Sequence, residues 1–311
     1  MKRPLGRALR GFMAAALLAA CIGAGTSATA TAAAPDCAGR GVPTSKISIQ
    51  LWTFAEYIGF GTDAATIERT RTVFESLSEM GYRNVEPFTL SGLSAEEYRA
   101  LLDEYGLKAS GRHVDVGTPE NPADIEAIIE ENRILGIRYF GSGATPIFGE
   151  NAYTTEAQWV AYAEYLDEIG AIAREAGQNL MVHNHDKEFS TFFGDQRVFD
   201  ILAANTDPRN VVFELHTYWT VYGGADPAEE LERYGNRIQL MHVKDMTAEG
   251  YPQGQIEILG EGVLDFASIF AASQGPLQYY VVEHDPRFGD PTFDPFEAAE
   301  KGFDYLDCLT F

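Results

Sequence analysis

From residue 46 to residue 311 the chain alternates two hydrophobic patterns. Short apolar, β-rich runs occur at KISIQLW (46–52), NVEPF (84–88), LKASGRHV (107–114), IRYFGS (137–142), NLMVH (179–183), VVFELH (211–216), RIQLMHV (237–243) and QYYVVEH (278–284). Between them lie segments with apolar residues at helical spacing, such as AATIERTRTVFESLSEMGY and TEAQWVAYAEYLDEIGAIAREAG. In SAEEYRALLDEYG, Ser94 is placed as an N-cap and Gly106 as a C-cap. Strand–helix pairs repeated in one series predict a parallel sheet, and eight of them predict a single-domain (β/α)8 TIM barrel over 46–311. The alternative is an open doubly wound sheet. It calls for a Gly-rich phosphate loop after the first strand, where this chain reads TFAEYIGFGTD instead.

The chain ahead of residue 46 reads differently. MKRPLGRALRG is basic, FMAAALLAACIGAG is apolar, and TSATATAAAP is rich in small residues. The apolar run is shorter than the roughly 20 residues of a spanning helix. The three parts predict a signal peptide over 1–34 and a lead-in over 35–45. Two processing sites stay open: an Ala-x-Ala cut near Ala34, and a lipobox-like LAAC that makes Cys21 the lipidated first residue. Either predicts an exported protein, secreted or lipid-anchored at the outer face of the cell membrane. An oxidising compartment lets Cys37 and Cys308 pair. In a closed barrel the first strand lies beside the eighth. A lead-in extending roughly 3.3 Å per residue can therefore reach the last helix.

The formal net charge is -23, and the leader holds Lys2, Arg3, Arg7 and Arg10 without an acid, so its removal leaves -27. Such a surface excludes nucleic acid and anionic membrane as partners, leaving the membrane only through a lipid anchor. It also disfavours highly phosphorylated substrates.

The chain has six histidines, and each sits at or just past the end of a strand-like run: His113, His183, His185, His216, His242 and His284. Barrel active sites lie at the C-terminal ends of the strands, so the six are expected on one rim. Glu86, Asp115, Asp186, Glu188, Asp245, Glu283 and Asp285 are expected with them, beside Lys244. Imidazoles and carboxylates converging from several strands predict a divalent-metal site. His183 and His185, two apart in VHNHD, share a face, with Asn184 turned away.

In order and spacing, GYRNVEPF, VHNHDKEF, FELHTYW, GGADPAEELERYGNRI, HVKDM, GEGVLDF and VVEHD resemble the xylose-isomerase-like TIM barrels, the sugar phosphate isomerase/epimerase family. The resemblance covers nearly the whole chain after the leader. It implies one divalent metal (Mn, Co or Zn here) held by one side chain from each of strands five to eight, at His183, His216, His242 and Glu283. Epimerases of the family use Glu, Asp, His and Glu. Relatives usually read ELDxYW where this chain reads ELHTYW, so His216 stands in place of an aspartate. Three histidines and one carboxylate shift preference toward Zn, Co or Ni; the other outcome is a weakened site. The resemblance further implies Glu283 as catalytic base, His185 as the opposing acid or base, and Lys244 as stabiliser of enolate charge or proton donor to a leaving oxygen. Glu86, Arg112 and His113 are expected to hold sugar hydroxyls. Trp52, Phe54, Tyr218 and Trp219 are expected to stack on the sugar.

The expected activity is isomerisation or epimerisation of an unphosphorylated sugar or keto-sugar, by proton abstraction beside a carbonyl. The alternatives are a lyase of 3-keto-glycosides and a non-catalytic sugar-binding lipoprotein. The charge argues against abasic-DNA cleavage, a further activity of such barrels.

Overall fold

The computed structural model describes Cys37, residues 41–273, Gly275 and residues 277–311. The leader and its two candidate cleavage sites lie outside the described residues. No helix among the described residues is long and apolar enough to cross a membrane.

The chain forms a TIM barrel. Its strands fall on the predicted runs, the fifth and sixth over their full length and the others shorter: Ile47–Ile49, Asn84–Val85, Lys108–Ala109 with Arg112–His113, Tyr139–Gly141, Asn179–His183, Val211–His216, Ile238–Val243 and Tyr279–Val282. The third is broken at Ser110–Gly111. One curled parallel sheet runs from the first strand through the eighth, seventh, sixth, fifth and fourth to the second half of the third. The second strand pairs with the first half of the third, Asn84 opposite Lys108. A bridge between Gln50 and Glu86 joins it to the first, so the ring closes.

Helices cover the outside. The one over Ala64–Met80 begins on Asp63, whose carboxylate accepts the Thr66 N–H. Those over Ala95–Glu104 and Glu156–Glu175 begin in capping boxes on Ser94 and Thr155. In the first of these the cap satisfies two N–H groups that a helix start leaves unpaired. Ser94 is the cap predicted from sequence. Gly106 follows the helix at φ 67°, a left-handed conformation that costs glycine little.

Side-chain alternation divides each strand between the outer core and the barrel interior. In the sixth strand Val211, Phe213 and Leu215 face the helices, as part of the main core. Val212 joins Tyr139, Met181 and Leu240 in an apolar plug inside the barrel. Counting up from the plug by twos gives three columns: Met181, His183, His185; Val212, Glu214, His216; and Leu240, His242, Lys244. The polar site is thus the upper part of the barrel interior, built on a dry floor.

The described residues of the lead-in meet the last helix, Pro295–Cys308, at two points. Val42 is buried and donates its N–H to Leu306 O at 2.9 Å. Cys37 and Cys308 are joined by a disulfide, with Cα atoms 4.9 Å apart.

Candidate active site

A cavity of about 600 Å³ opens at the C-terminal end of the strands, lined by residues that include Trp52, His113, His183, His185, Trp219, Glu283 and Asp285. Five of the six histidines gather at or beneath it. The ring of His183 lies 4.8 Å from that of His113, 5.3 Å from His185, 5.2 Å from His216 and 4.5 Å from His242, between centroids. His284 is the exception. Next to inward-facing Glu283, it points to the other side of the strand and stacks on Phe293 at 4.4 Å.

The sharpest convergence is on a residue that sequence reasoning missed. Glu214 Oε2 lies 2.8 Å from His113 Nε2, 2.9 Å from His183 Nδ1 and 3.3 Å from His242 Nε2. The signal was present in VVFELH: a single acid two residues before His216, in a strand buried on both faces. His242 Nε2 also meets Glu86 Oε2 at 2.6 Å, and Gln50 donates to the same oxygen at 2.9 Å. One layer up, Glu283 Oε2 lies 2.8 Å from His216 Nε2, 3.3 Å from His242 Nδ1 and 3.1 Å from Lys244 Nζ. Asp285 holds Lys244 from the other side at 3.0 Å.

Among the described residues, two groups of donors are therefore compact enough for a metal ion, with His242 in both: His113, His183, Glu214 and His242 below, and His216, His242 and Glu283 above. Of the four ligands expected from strands five to eight, three fall in the upper group, while His183 stands in the lower. Buried imidazoles beside carboxylates fit a dication. So do two orphaned atoms: the second oxygens of Glu86 and Glu214 are buried and find no hydrogen-bond partner.

The electrostatics follow from burial without solvent. Burial lowers the pKa of His183 to about 4, helped by His242. It also takes His185 well below the ordinary value, with His183 and Lys244 adding repulsion. His216 falls likewise, through burial and Lys244. These three rings are neutral at pH 7. Burial opposes the charge of His242 too, but Glu214, Glu283 and Glu86 outweigh it and hold the ring protonated. Burial would raise Glu283, yet Lys244 and His242 keep it well below the carboxylate range. Asp285 is raised by burial.

Asn184 turns away from the mouth, as expected, and accepts the His216 N–H at 2.9 Å, tying the fifth strand's end to the sixth. Several expected site residues lie elsewhere. Glu86 is fully buried under the cavity floor and cannot meet a sugar hydroxyl directly. Lys244 is also fully buried, behind Glu283 and Asp285. Tyr218 is buried and commits its hydroxyl to Gly254 O at 2.9 Å. Phe54 belongs to the core and packs on Phe296. Arg112 borders the cavity, but its guanidinium points outward to Glu131 and Asn132. Asp245 accepts four backbone N–H groups, from Met246, Gly260, Gly262 and Leu264, and shapes a loop instead. Parity within a strand was readable, but the break in the third strand and the depth of each residue were not.

The comparisons with known proteins agree with this architecture. The family model described as xylose isomerase-like TIM barrel matches residues 74–286. This chain belongs to the xylose isomerase-like TIM barrel family. Among relatives of the family, an inosose dehydratase of Geobacillus thermodenitrificans is 30% identical over 183 residues, which is 53% of this chain and 59% of that protein. The matched region thus spans under two thirds of that relative. A solved sugar phosphate isomerase/epimerase from Parabacteroides distasonis superposes with a TM-score of 0.66 at 23% identity, over 86% of this chain and 95% of that one. The IolI protein, solved with a zinc atom bound, gives 0.62 at 15% identity, over 85% and 98%. Both likenesses speak to the fold.

Glu188 sits beside the site without lining it. It accepts the His185 N–H at 2.9 Å and the Thr145 hydroxyl, and burial raises its pKa to about 7. A carboxyl raised in the folded state holds its proton there after the unfolded chain, with an ordinary value of 4.5, has lost it. Its contribution is fully present below the unfolded pKa and is lost as pH rises through about 7. Glu188→Gln keeps an acceptor for His185 and offers the Thr145 hydroxyl a donor. The variant is expected to gain on the wild type between pH 5 and pH 8, by up to about 3 kcal/mol. Denaturant midpoints at the two pH values measure this, and parallel profiles would show that Glu188 does not titrate there.

Proposed function

We propose that this chain is an exported, divalent-metal-dependent enzyme that eliminates water or an alcohol from an unphosphorylated keto-sugar or keto-polyol. The observation that carries the reading is the pair of unlike groups lining one cavity. His185 offers a neutral ring whose Nδ1 has no partner, so no neighbour fixes a proton on that nitrogen. Asp285 has a carboxyl raised by burial, with Lys244 behind it. Elimination beside a carbonyl needs a base for the carbon-bound proton and an acid for the departing oxygen, and these two groups divide that work.

A bound divalent cation supplies polarisation of the substrate carbonyl and adjoining hydroxyl. The buried donors around His242 would hold it. His185 takes the proton from the carbon next to the carbonyl. The bond to the departing oxygen breaks as a proton reaches it from the Asp285–Lys244 pair, and the product is an unsaturated ketone plus water or alcohol. Lys244 neutralises the charge left on Asp285 and keeps Glu283 ionised, and solvent returns the proton to the pair. Trp52 offers a ring face at the mouth, with Phe60, Phe88 and Phe288 packed around it. Phe60 and Phe288 are exposed, which suits a substrate carrying an apolar group beyond the reacting ring. The two basic side chains near the cavity, Arg112 and Lys244, are spent on carboxylates, so nothing there is set for phosphate.

The inosose dehydratase relative supports elimination. A second reading, isomerisation or epimerisation, is favoured by Glu283 and His185 lining the same cavity, as two groups that could exchange a proton. Metal-loaded protein incubated with keto-sugars and 3-keto-glycosides in D2O, followed by NMR, separates the two. An enone with released water or alcohol supports elimination; a deuterated epimer or isomer without loss of a group supports the second reading. Export is supported by the composition of residues 1–34 and by the disulfide.

His185→Ala is expected to lower kcat by 10²-fold or more while metal content stays unchanged. A variant with near-normal kcat would remove His185 from the proton-transfer role.

A further inference from the structure

The two donor groups are not equivalent, because the upper one already holds a cation. The ammonium of Lys244 lies 3.1 Å from Glu283 Oε2, 3.0 Å from Asp285 Oδ2 and 3.5 Å from His216 Nε2. It sits over the rings of Tyr218 and Trp219 at 5.7 and 5.6 Å. A dication bound by His216 and Glu283 would face that fully buried positive charge at close range. The lower group has no such occupant.

Its oxygen and nitrogens are crowded in a way hydrogen bonding explains poorly. Three imidazole nitrogens approach a single oxygen of Glu214, at 2.8, 2.9 and 3.3 Å, while its other oxygen has no partner. A carboxylate with two free acceptors would normally share its donors between its oxygens. Four donors at roughly 2.0–2.1 Å from a tetrahedral ion lie about 3.3 Å apart. The separations from Glu214 Oε2, 2.8, 2.9 and 3.3 Å, lie at or just below that value, and all four donor atoms fall within 4.8 Å of one another. A small expansion turns the cluster into a coordination shell. His242 is also oriented for it: with Nε2 on a metal, its Nδ1 faces Glu283 Oε2 at 3.3 Å, the carboxylate–histidine arrangement that fixes a ligand's tautomer.

We propose that this chain binds its divalent cation one layer deeper than the strand five-to-eight set implies, through His113, His183, Glu214 and His242, while the Lys244 ammonium fills the upper position between His216 and Glu283. The third strand thereby supplies a ligand, and the sixth supplies Glu214 in place of residue 216. Three imidazoles, with the His242 ring giving up its proton to the ion, and one carboxylate favour Zn or Co over Mg or Mn. His113 and His183 line the cavity, so the ion remains in reach of a substrate above it. His216 then stands two contacts from the metal, through Glu283 and His242.

This placement builds on the metal-dependent reading, and one titration separates their failures. Metal-free protein is titrated calorimetrically with Zn²⁺ and Co²⁺, for wild type, His113→Gln, Glu214→Gln and His216→Gln. The expected result is one equivalent bound by wild type, with affinity lowered at least 100-fold in the first two variants and changed less than threefold in the third. The reverse pattern, with His216→Gln losing the metal and His113→Gln keeping it, overturns the placement and leaves metal dependence standing. A wild type that binds neither ion overturns both. Should the Glu214 variant fail to fold, a crystal of cobalt-loaded wild type decides by anomalous scattering. A peak among His113, His183, Glu214 and His242 supports the proposal, and one bonded to His216 and Glu283 refutes it.

Discussion

Replacing His242 with alanine is expected to remove bound metal and take activity down by well over 100-fold. The expectation does not depend on which donor layer holds the ion, because His242 is the one residue in both groups. Its two nitrogens reach Glu86 and Glu214 on one side and Glu283 on the other. Partners one step removed from a metal typically cost 10- to 100-fold in affinity or activity when mutated, and a shared ligand should cost more. Metal-free protein should suffer too. There the protonated ring is a cation among three buried carboxylates, with Lys244 on Glu283 and with His113 raised by Glu86 and Glu214. Taking away one partner of a buried ion pair costs about 3–5 kcal/mol. Elemental analysis after dialysis, turnover of a keto-sugar panel, and denaturant unfolding with and without Zn²⁺ measure the three effects. A His242→Ala protein that keeps a full equivalent of metal would place the ion away from this cluster altogether.

The barrel was readable because its signals are local. Every strand carries its own apolar run, and the helix over Ala95–Glu104 declares itself through the cap at Ser94. The histidines were readable as a set because strand ends are where barrel chemistry gathers. Their depth was not. Parity says that Glu214 and His216 share a face, but the stagger between neighbouring strands decides which layer each enters. The sixth strand pairs Glu214 with His183 on one side, and His216 with His242 on the other. That register brings His183 to Glu214, not to His216. A similar limit explains Glu86 and Lys244. Each was correctly placed near the strand ends, yet each lies beneath the surface, since a charged side chain buried against opposite charges looks no different in sequence from one that meets solvent. Tyr218 and Phe54 illustrate the converse: aromatic residues beside a site are as often its packing as its lining.

Reducing the Cys37–Cys308 bridge is expected to lower the melting temperature by on the order of 10 °C. The two cysteines are 271 residues apart in sequence. Closing so long a loop in the unfolded chain removes entropy worth roughly 5–6 kcal/mol in the chain-entropy model, an upper figure since measured values are often smaller. For a domain this large, each 1 kcal/mol moves the melting point by about 2 °C or a little more. The native state should keep its shape, because Val42 stays hydrogen-bonded to Leu306 and buried without the sulfur link. What changes is the freedom of the ends once the chain opens. The comparison is wild type with a Cys37→Ser, Cys308→Ser double variant, each melted with and without dithiothreitol. Reductant should shift the wild type onto the variant's curve and leave the variant where it is. Coincident curves for all four samples would mean that the bridge contributes nothing to stability. The same experiment bears on export: material made in the reducing cytosol should melt like the variant, and material recovered from an oxidising compartment like the bridged form. Oxidised material with two free thiols would remove the bridge and, with it, one of the two supports for export.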